Sequence, residues 1–496
     1  MLLTRLILNS GRWPRFWTVH WIHPLHKRNS QHNPDHYRGL QLTSQLSKAV
    51  ERFICSIFLP PLYRDLSFGA FQFAYTPGRG ARDAILFVTM SWLSAFGAGQ
   101  RVALYCNDVA GAFDRASAER LLAKLASSDL HPKILTVLED WLAPRSAYVV
   151  CNGAVSDCIS MSNMVYQGTV FGPSLWNEFY ADARDPIMCS GFQEVVFADD
   201  LNAFKLFANS VPDPVLFSHL GGCQQELHKW GRANGVSFEP AKESFHILSH
   251  RSPAGENFKL LGIVFDCKLL MHEAISTCSC EGGWRSLQIL SCRRYYSIRE
   301  LVFLYKSHVL SYLEFRTPAI SHASSSSLLL LDGVQQRFLM ALEVSELDAL
   351  LSLSLAPLAV RRDIAILGMI HRTALGLGPG VFRQFFSPDR SPPPPRLRSL
   401  RSASASSRRR VRHLVDPLPV SAPDYVVRSP LGAVRIYNIL PDSIIGQSSV
   451  KEFQSCLQYL VAASARNGVA SWQTLLSWRQ PLAFHPLLPL RDWRPS

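Results

Sequence analysis

Three carboxylates in this sequence could do chemistry together. Asp108 closes a strand-like apolar run, Val102-Ala-Leu-Tyr-Cys106, through Asn107. Asp199 and Asp200 are adjacent and lie between two more apolar runs, Val195-Val-Phe-Ala198 and Leu201-Asn-Ala-Phe204. Three ionised carboxylates held close repel one another, and burial forces protons onto them. A site that keeps them charged needs compensating cations. Hard oxygen ligands of this kind favour magnesium, which keeps part of its water and bridges to phosphate oxygens. Two such ions about 4 Å apart can activate an attacking oxygen and steady a leaving one in phosphoryl transfer. An isolated Asp-Asp pair more commonly just caps a turn, so the assignment depends on its surroundings.

The elements that must position these acids can be read from periodicity. The runs flanking Asp199-Asp200 predict a β-hairpin with the acids at its tip, although the turn lacks the usual glycine. Ala118, Leu121, Leu122 and Leu125 fall at i, i+3, i+4 and i+7, which predicts an amphipathic helix. A second helix should start near Ser174 and carry Leu175, Trp176 and Phe179. A third carries Leu220, Cys223, Leu227 and Trp230 and should end before Gly235. From about Trp13 to Leu248 strands and helices mix, as in an α+β domain; from about Phe258 to Phe386 helical patterns dominate. Between Ser391 and His413 come Pro392 to Pro395, then seven arginines among serines without one acid. Such a stretch cannot form a core and reads as a mobile tether, contacting an RNA backbone or simply solvated. Tyr425 to Trp478 reads as ordered again.

Bulk properties narrow the classes. The chain has 496 residues, 47% hydrophobic and 18% charged, so it is globular rather than disordered and long enough for two to four domains. Lysine and arginine outnumber aspartate and glutamate 51 to 38, a formal charge of +13. That excess attracts polyanions, nucleic acid first and anionic membrane second. The eleven cysteines show no secreted framework, and Cys278, Cys280 and Cys292 lack zinc-site spacing. No apolar run approaches the roughly 20 residues that cross a bilayer. Met1 to Asn9 is apolar but no small-residue cleavage site follows, so it reads as the edge of a truncated domain rather than a targeting peptide. Reduced thiols and the lack of a secretory or transmembrane signal imply an intracellular protein, in nucleus or cytoplasm. There is no GxxxxGK loop and no Ser-His-Asp pattern.

The surroundings of the acids carry a resemblance. Asn107-Asp108-Val-Ala-Gly-Ala-Phe113-Asp114, Gln167-Gly168-Thr-Val-Phe-Gly172-Pro173 and Phe197-Ala-Asp-Asp200 occur in that order and resemble the palm motifs of reverse transcriptases. Lys27, Tyr37-Arg38-Gly39 and Ser47-Lys48-Ala-Val-Glu51-Arg52 resemble the fingers region. Pro77-Gly78-Arg79-Gly80-Ala-Arg82-Asp83-Ala84 resembles the segment between fingers and palm in LINE-type enzymes. Lys242 follows the Trp230 helix as in the next motif, and Leu260-Leu261-Gly262 resembles the hairpin that grips the primer. The likeness runs from about residue 17 to 270. By it the chain is identified as similar to the reverse transcriptases of non-LTR (LINE-type) retrotransposons.

That resemblance implies an α+β right-hand polymerase, with fingers, a palm built on an antiparallel sheet, and a helical thumb. The expected division is 1–105 for fingers and the start of the palm, 106–270 for the palm, 271–386 for a helical thumb or connection, 387–420 for a Pro/Ser/Arg-rich linker and 421–496 for a small C-terminal element. The implied activity is RNA-directed DNA synthesis, adding dNTPs to a primer 3′-hydroxyl with two Mg2+ ions, Mn2+ being able to substitute. Asp108, Asp199 and Asp200 would be catalytic and, with the Val109 carbonyl, hold the metal. Lys27, Arg38, Phe113, Gln167, Gly168 and Lys242 would meet the nucleotide, with the Phe113 ring excluding a 2′-hydroxyl. Phe197, Leu261 and Gly262 would face primer and template. Implied partners are an RNA template and a DNA primer or nicked target DNA. No sequence here resembles the endonuclease that usually precedes such a polymerase, so the nick would come from another chain or from a part missing in this fragment. Phe197 stands where tyrosine is commonest, and Gly39 where proline is common. Segments Leu355 to Arg372 and Tyr437 to Phe453 resemble regions downstream of the polymerase. The competing readings are a catalytically inactive RNA- or DNA-binding descendant, and a different palm polymerase such as an intron-encoded maturase or an RNA-dependent RNA polymerase.

Overall fold

The computed structural model describes all residues except 1, 28–29, 110, 129, 390–411, 420, 491–492 and 494–496. The expected tether at 387–420 thus lies largely outside the described residues. Its described flanks are paired: Pro388 bridges Leu414, and Arg412 donates to the carbonyls of Ile445 and Gln447 at 2.7 and 2.6 Å.

Among the described residues the strands are β1 (Val19–His26), β2 (Tyr37–Leu42), β3 (Gln100–Asn107), β4 (Arg145–Cys151), β5 (Ala154–Val155), β6 (Ile159–Met161), β7 (Gln193–Phe197), β8 (Asp200–Ala208), β9 (Ser244–Leu248), β10 (Phe258–Leu260) and β11 (Ile263–Phe265). The chain folds into two compact units, one of residues 1–80, 103–205 and 211–245, the other of 81–102, 206–210 and 246–496.

In the first unit β1 pairs antiparallel with β2 and parallel with β4, and β5 and β6 both pair with β4. A second sheet runs in the order β7–β8–β3–β9. β3 is buried along almost its whole length, as its unbroken apolar run requires: a central strand covered on both faces shows no alternation. Helices form where the periodicity places them. Ala118–Ser127 buries Leu121 and Leu125 and is capped by the Ser117 hydroxyl. Asp213–Asn234 buries Leu220, Cys223 and Leu227 and stops at Gly235, whose φ of +74° supplies the left-handed end. Arg145 lies between the rings of Trp141 and Tyr166, its carbon 4.5 and 4.0 Å from their centroids. Burial there, with that guanidinium alongside, holds His20 down to about 4.

The second unit is mainly helical: Ala81–Gly97, His272–Ser291, Ser325–Ala341, Leu358–Ala374 and Val450–Arg466 are its longer helices. The run expected from Ile298 to Leu313 is helical but widens into a π-turn at Lys306–Leu310. The downstream segments singled out in the sequence meet in one core. The His371 ring stacks on Phe453 at 4.0 Å and its Nδ1 lies 2.9 Å from the Tyr437 hydroxyl. Burial lowers that histidine to about 4, so it works as a neutral, hydrogen-bonded core group. Asp83, from the segment resembling LINE-type enzymes, is buried and accepts both arms of the Arg372 fork at 2.9 and 3.3 Å. Among the described residues no helix is long and apolar enough to cross a membrane.

Breaking a buried fork strands a charge. Arg372→Ala should therefore cost about 3 kcal/mol in denaturant unfolding. Arg372→Lys should recover little of it, because an ammonium cannot reproduce the two parallel bonds. Full recovery by lysine would contradict the bidentate geometry.

Candidate active site

The hairpin predicted around the twin acids forms, and its two-residue turn explains how it does without glycine. β7 and β8 pair with Phe197 opposite Asp200, leaving Ala198 and Asp199 as the loop. Tight hairpins need positive φ in the loop, usually supplied by glycine. Here Ala198 takes it, at φ +62°. An alanine held there costs roughly 1 kcal/mol and persists only when its neighbours over-determine it. Two buried side chains do so. The Gln72 carbonyl oxygen accepts from the Ala198 N–H at 3.2 Å, and the Trp176 indole donates to the Ala198 carbonyl at 3.0 Å. Gln72 is held in turn. Its strand segment bridges Val196, and Arg79 donates to the carbonyls of Gly69, Ala70 and Gln72 at 3.3, 2.7 and 3.0 Å.

Asp108 follows the last residue of β3, and its carbonyl accepts from the Glu239 N–H at 3.0 Å. That bond anchors the short 3-10 turn Pro240–Lys242, which delivers the Lys242 ammonium directly onto the Asp108 carboxylate. Glu243, next in sequence, accepts from the buried Tyr105 hydroxyl and lies 2.8 Å from His228 Nε2, tying the segment to β3 and to the helix Asp213–Asn234.

The structure brings Asp108, Asp199 and Asp200 into one electrostatic cluster. Burial first, then the neighbouring carboxylates Asp199 and Asp108, push Asp200 up to about 6. Asp199 is raised too, by burial first and then by Asp108, with Lys242 and Arg38 pulling the other way. Lys242 is raised, chiefly through its bond to Asp108. The cluster is therefore short of positive charge, and Lys242 supplies part of it.

Among the described residues no three His, Cys, Asp or Glu side chains are already arranged as a metal cage. Asp108 is turned to Lys242 instead. The donor chemistry nevertheless suits a hard dication: oxygen atoms only, with two of the three carboxylates driven toward protonation by burial and mutual repulsion, which a cation would relieve.

The segments around the acids interlock. The Phe113 carbonyl accepts from Val165 N–H at 3.0 Å, and Gln167 Nε2 donates to Asp114 at 3.1 Å. Phe113 is half-buried, its ring 5.7 Å from Trp176. Gly168, at φ +73°, lies so close to the Gln41 carbonyl that any Cβ would collide with it. The close approach that its lack of a side chain allows is thus, in this structure, to β2. The helix Phe171–Tyr180, expected from about Ser174, begins three residues earlier. Its first turn is capped by a residue from far away: buried Glu51 accepts from Val170 and Phe171 N–H at 2.6 and 3.2 Å and from the Ser47 hydroxyl at 2.9 Å. A carboxylate at a helix N-terminus answers both the unpaired donors and the helix dipole.

Arg38 is exposed on β2 and near enough to Asp199 to favour its ionised form. Lys27 is exposed just past the end of β1. The Val109 backbone bridges Phe238. Leu261 and Gly262 lie in the second unit, as the two-residue loop joining β10 and β11, with φ +47° and +82°. Trp92 seats that hairpin, 6.0 and 5.7 Å from Phe258 and Phe265. Sequence reasoning missed Gln72, Tyr75, Trp176 as a hydrogen-bond donor, and Tyr180. Tyr75 is raised by burial and by Asp199. The spacing of Trp176 and Tyr180, one helical turn apart, was a usable signal; nothing local marks Gln72.

Acids at the end of a central strand and in the adjoining hairpin turn, on a sheet backed by helices, define the palm of a right-hand polymerase. Residues 25–265 match the family described as "Reverse transcriptase (RNA-dependent DNA polymerase)", so this segment is similar to reverse transcriptase domains, and the relatives it matches are described as RNA-directed DNA polymerases of mobile elements. Over 297 residues the chain is 25% identical to the "RNA-directed DNA polymerase from mobile element jockey" of Drosophila funebris, covering 56% of this chain and 32% of that protein. It is 28% identical over 295 residues to the protein of the same description from Drosophila melanogaster, covering 55% and 32%. With the "Probable RNA-directed DNA polymerase from transposon BS" of Drosophila melanogaster it shares 29% identity over 190 residues, covering 37% and 20%. The chain spans about a third or less of the length of these relatives. The structure of apo telomerase from Candida tropicalis aligns with a TM-score of 0.40 at 12% identity, covering 68% of this chain and 59% of that one.

Two outcomes follow from the geometry. Gln72→Ala strands two buried N–H groups, those of Ala74 and Ala198. It should cost about 2 kcal/mol and speed amide exchange at Ala198 and Asp199; unchanged exchange there would show that the turn holds itself. The second concerns pH. A carboxyl raised on folding stabilises the fold below its unfolded value, near 4, and that contribution is lost as pH rises through its folded value. In chelator the wild type should therefore lose thermal stability between about pH 4 and 6 from Asp200. Asp200→Asn should flatten that slope and be the more stable protein at pH 7; a steeper slope in the variant would refute the assignment.

Proposed function

We propose that this chain is the polymerising part of an RNA-directed DNA polymerase that extends a primer 3′-hydroxyl on an RNA template. The primer would be DNA, including nicked target DNA, with the nick made by an endonuclease on another chain or beyond this sequence. The observation that carries this reading is the cluster of Asp108, Asp199 and Asp200 at the end of β3 and the β7–β8 turn. In it Asp108, Asp199 and Asp200, with the Val109 carbonyl, would hold two Mg2+ ions, or Mn2+ in their place. Bound there, the metal supplies charge neutralisation for the primer oxygen and the departing pyrophosphate.

The chain's own residues would do the rest. Arg38 and Lys27 bind triphosphate oxygens through charged donors. Gln167 and Gly168 line the nucleotide and template side. The Phe113 ring, backed by Trp176, lies against the sugar and excludes a 2′-hydroxyl. Lys242 releases Asp108 and moves a proton to the leaving pyrophosphate. Phe197, Leu261 and Gly262 contact primer and template. Positioning and electrostatics contribute most of the rate, with no covalent intermediate on the protein. The division proposed is fingers and start of palm to 105, palm to 270, helical thumb or connection to 386, then linker and a small terminal element. The place of action would be the nucleus or cytoplasm.

The test is purified protein on a primed RNA template with Mg2+, offered dNTPs or rNTPs. Extension with dNTPs is expected, falling about a thousand-fold or more in Asp199→Ala. Tight RNA binding without extension would instead make the chain a binding descendant. Phe113→Ala should raise rNTP use relative to dNTP use by about ten-fold or more; an unchanged ratio would remove Phe113 from sugar selection.

A further inference from the structure

Tyr180 ends the helix Phe171–Tyr180 and is almost fully buried, at 3% exposure. Its ring stacks on Trp176 at 5.1 Å, the residue whose indole holds the Ala198 carbonyl, and packs edge-on against Trp230 at 5.5 Å. Two indoles thus fix the phenol beside the turn that carries Asp199. Its hydroxyl has no hydrogen-bond partner among the described residues. Buried hydroxyls almost always have one, and an orphan is costly enough to call for an explanation. The charged groups within its electrostatic reach are all carboxylates: Asp199 most strongly, then Asp108 and Asp200. Asp199 itself is favoured in its charged form by its own backbone, Lys242 and Arg38, and by no neutral side-chain donor.

We propose that Tyr180 is a positioning residue for the acid cluster, its hydroxyl donating to the Asp199 oxygen that a bound divalent cation leaves free. Asp108 is turned to Lys242, and the Tyr180 hydroxyl is the polar group beside the turn that is left without a partner among the described residues. The bond would select one orientation of the Asp199 carboxylate and hold it ready. Trp176 serves the same acid through the backbone, and Tyr180 serves it through the side chain, both from one face of one helix. This inference rests on the acids being a metal site, as proposed above, but it can be tested without any polymerase activity.

Mn2+ binding to the purified full chain, followed by the electron-spin-resonance signal of free Mn2+, separates the possibilities. Asp199→Asn should lose the tight site. Tyr180→Phe should weaken it about ten-fold, the size expected for one hydrogen bond to a charged group. Its melting temperature in chelator should stay level or rise, because a buried unpaired hydroxyl has been removed. Affinity within about two-fold of the wild type would overturn the proposal. So would a fall in melting temperature that accompanies the loss of affinity, since that marks a merely structural role. Absence of primer extension by the wild type, with Mn2+ binding intact and sensitive to Tyr180→Phe, would refute the polymerase reading and leave this one standing.

Discussion

Three carboxylates crowded into one partly buried place repel one another, and the first unit is organised around containing that repulsion. The acids come from elements separated by about ninety residues, so the chain must spend structure to hold them. Asp108 rides on a central strand buried on both faces, which cannot shift without exposing its apolar run. Asp199 and Asp200 ride on a hairpin turn whose backbone is strained at Ala198. Neither placement is stable by local preference alone. The ion pair of Lys242 with Asp108 answers the excess of negative charge, and the upward shift of Asp200 reflects burial first and that same excess second.

The bracing of the turn shows how such strain is sustained. Gln72 and Trp176 grip opposite sides of the Ala198 peptide, one through its N–H and one through its carbonyl. Behind Gln72, Arg79 collects three backbone carbonyls. Behind Trp176, the helix Phe171–Tyr180 is anchored at its start by the buried Glu51 carboxylate. A carboxylate buried without partners would be strongly unfavourable, but this one accepts from two backbone N–H groups and a hydroxyl. The precision of the acid cluster thus derives from uncharged and remote groups as much as from the acids.

The second unit uses a different economy. Two of its buried polar groups show this: the Asp83–Arg372 fork, and the neutral His371, held by the Tyr437 hydroxyl and the Gln447 carbonyl with its ring on Phe453. His371, Arg372, Tyr437 and Phe453 belong to segments whose resemblance to downstream retroelement sequences carried no assigned contacts, and Asp83 to the segment that resembles the join of fingers and palm. Their structural service is to join distant stretches of chain into one core.

Much of this was legible from residue order. The apolar runs at β3, β7 and β8, the helices at Ala118–Ser127 and Asp213–Asn234, and the glycine stop at Gly235 follow from periodicity and capping, which act between near neighbours. The choice of acids for a candidate metal site followed from their chemistry and from the motifs around them. What only the tertiary structure decided is which distant groups meet them. Nothing in the local pattern assigns Gln72 to the Ala198 turn, Glu51 to a helix more than a hundred residues later, the tight approach of Gly168 to β2, or the orphan hydroxyl of Tyr180 to the acids. Periodicity records which face of an element is buried, because burial is imposed along that element. It records nothing of what lies opposite, because a hydrogen bond between remote residues leaves no repeating trace in either segment.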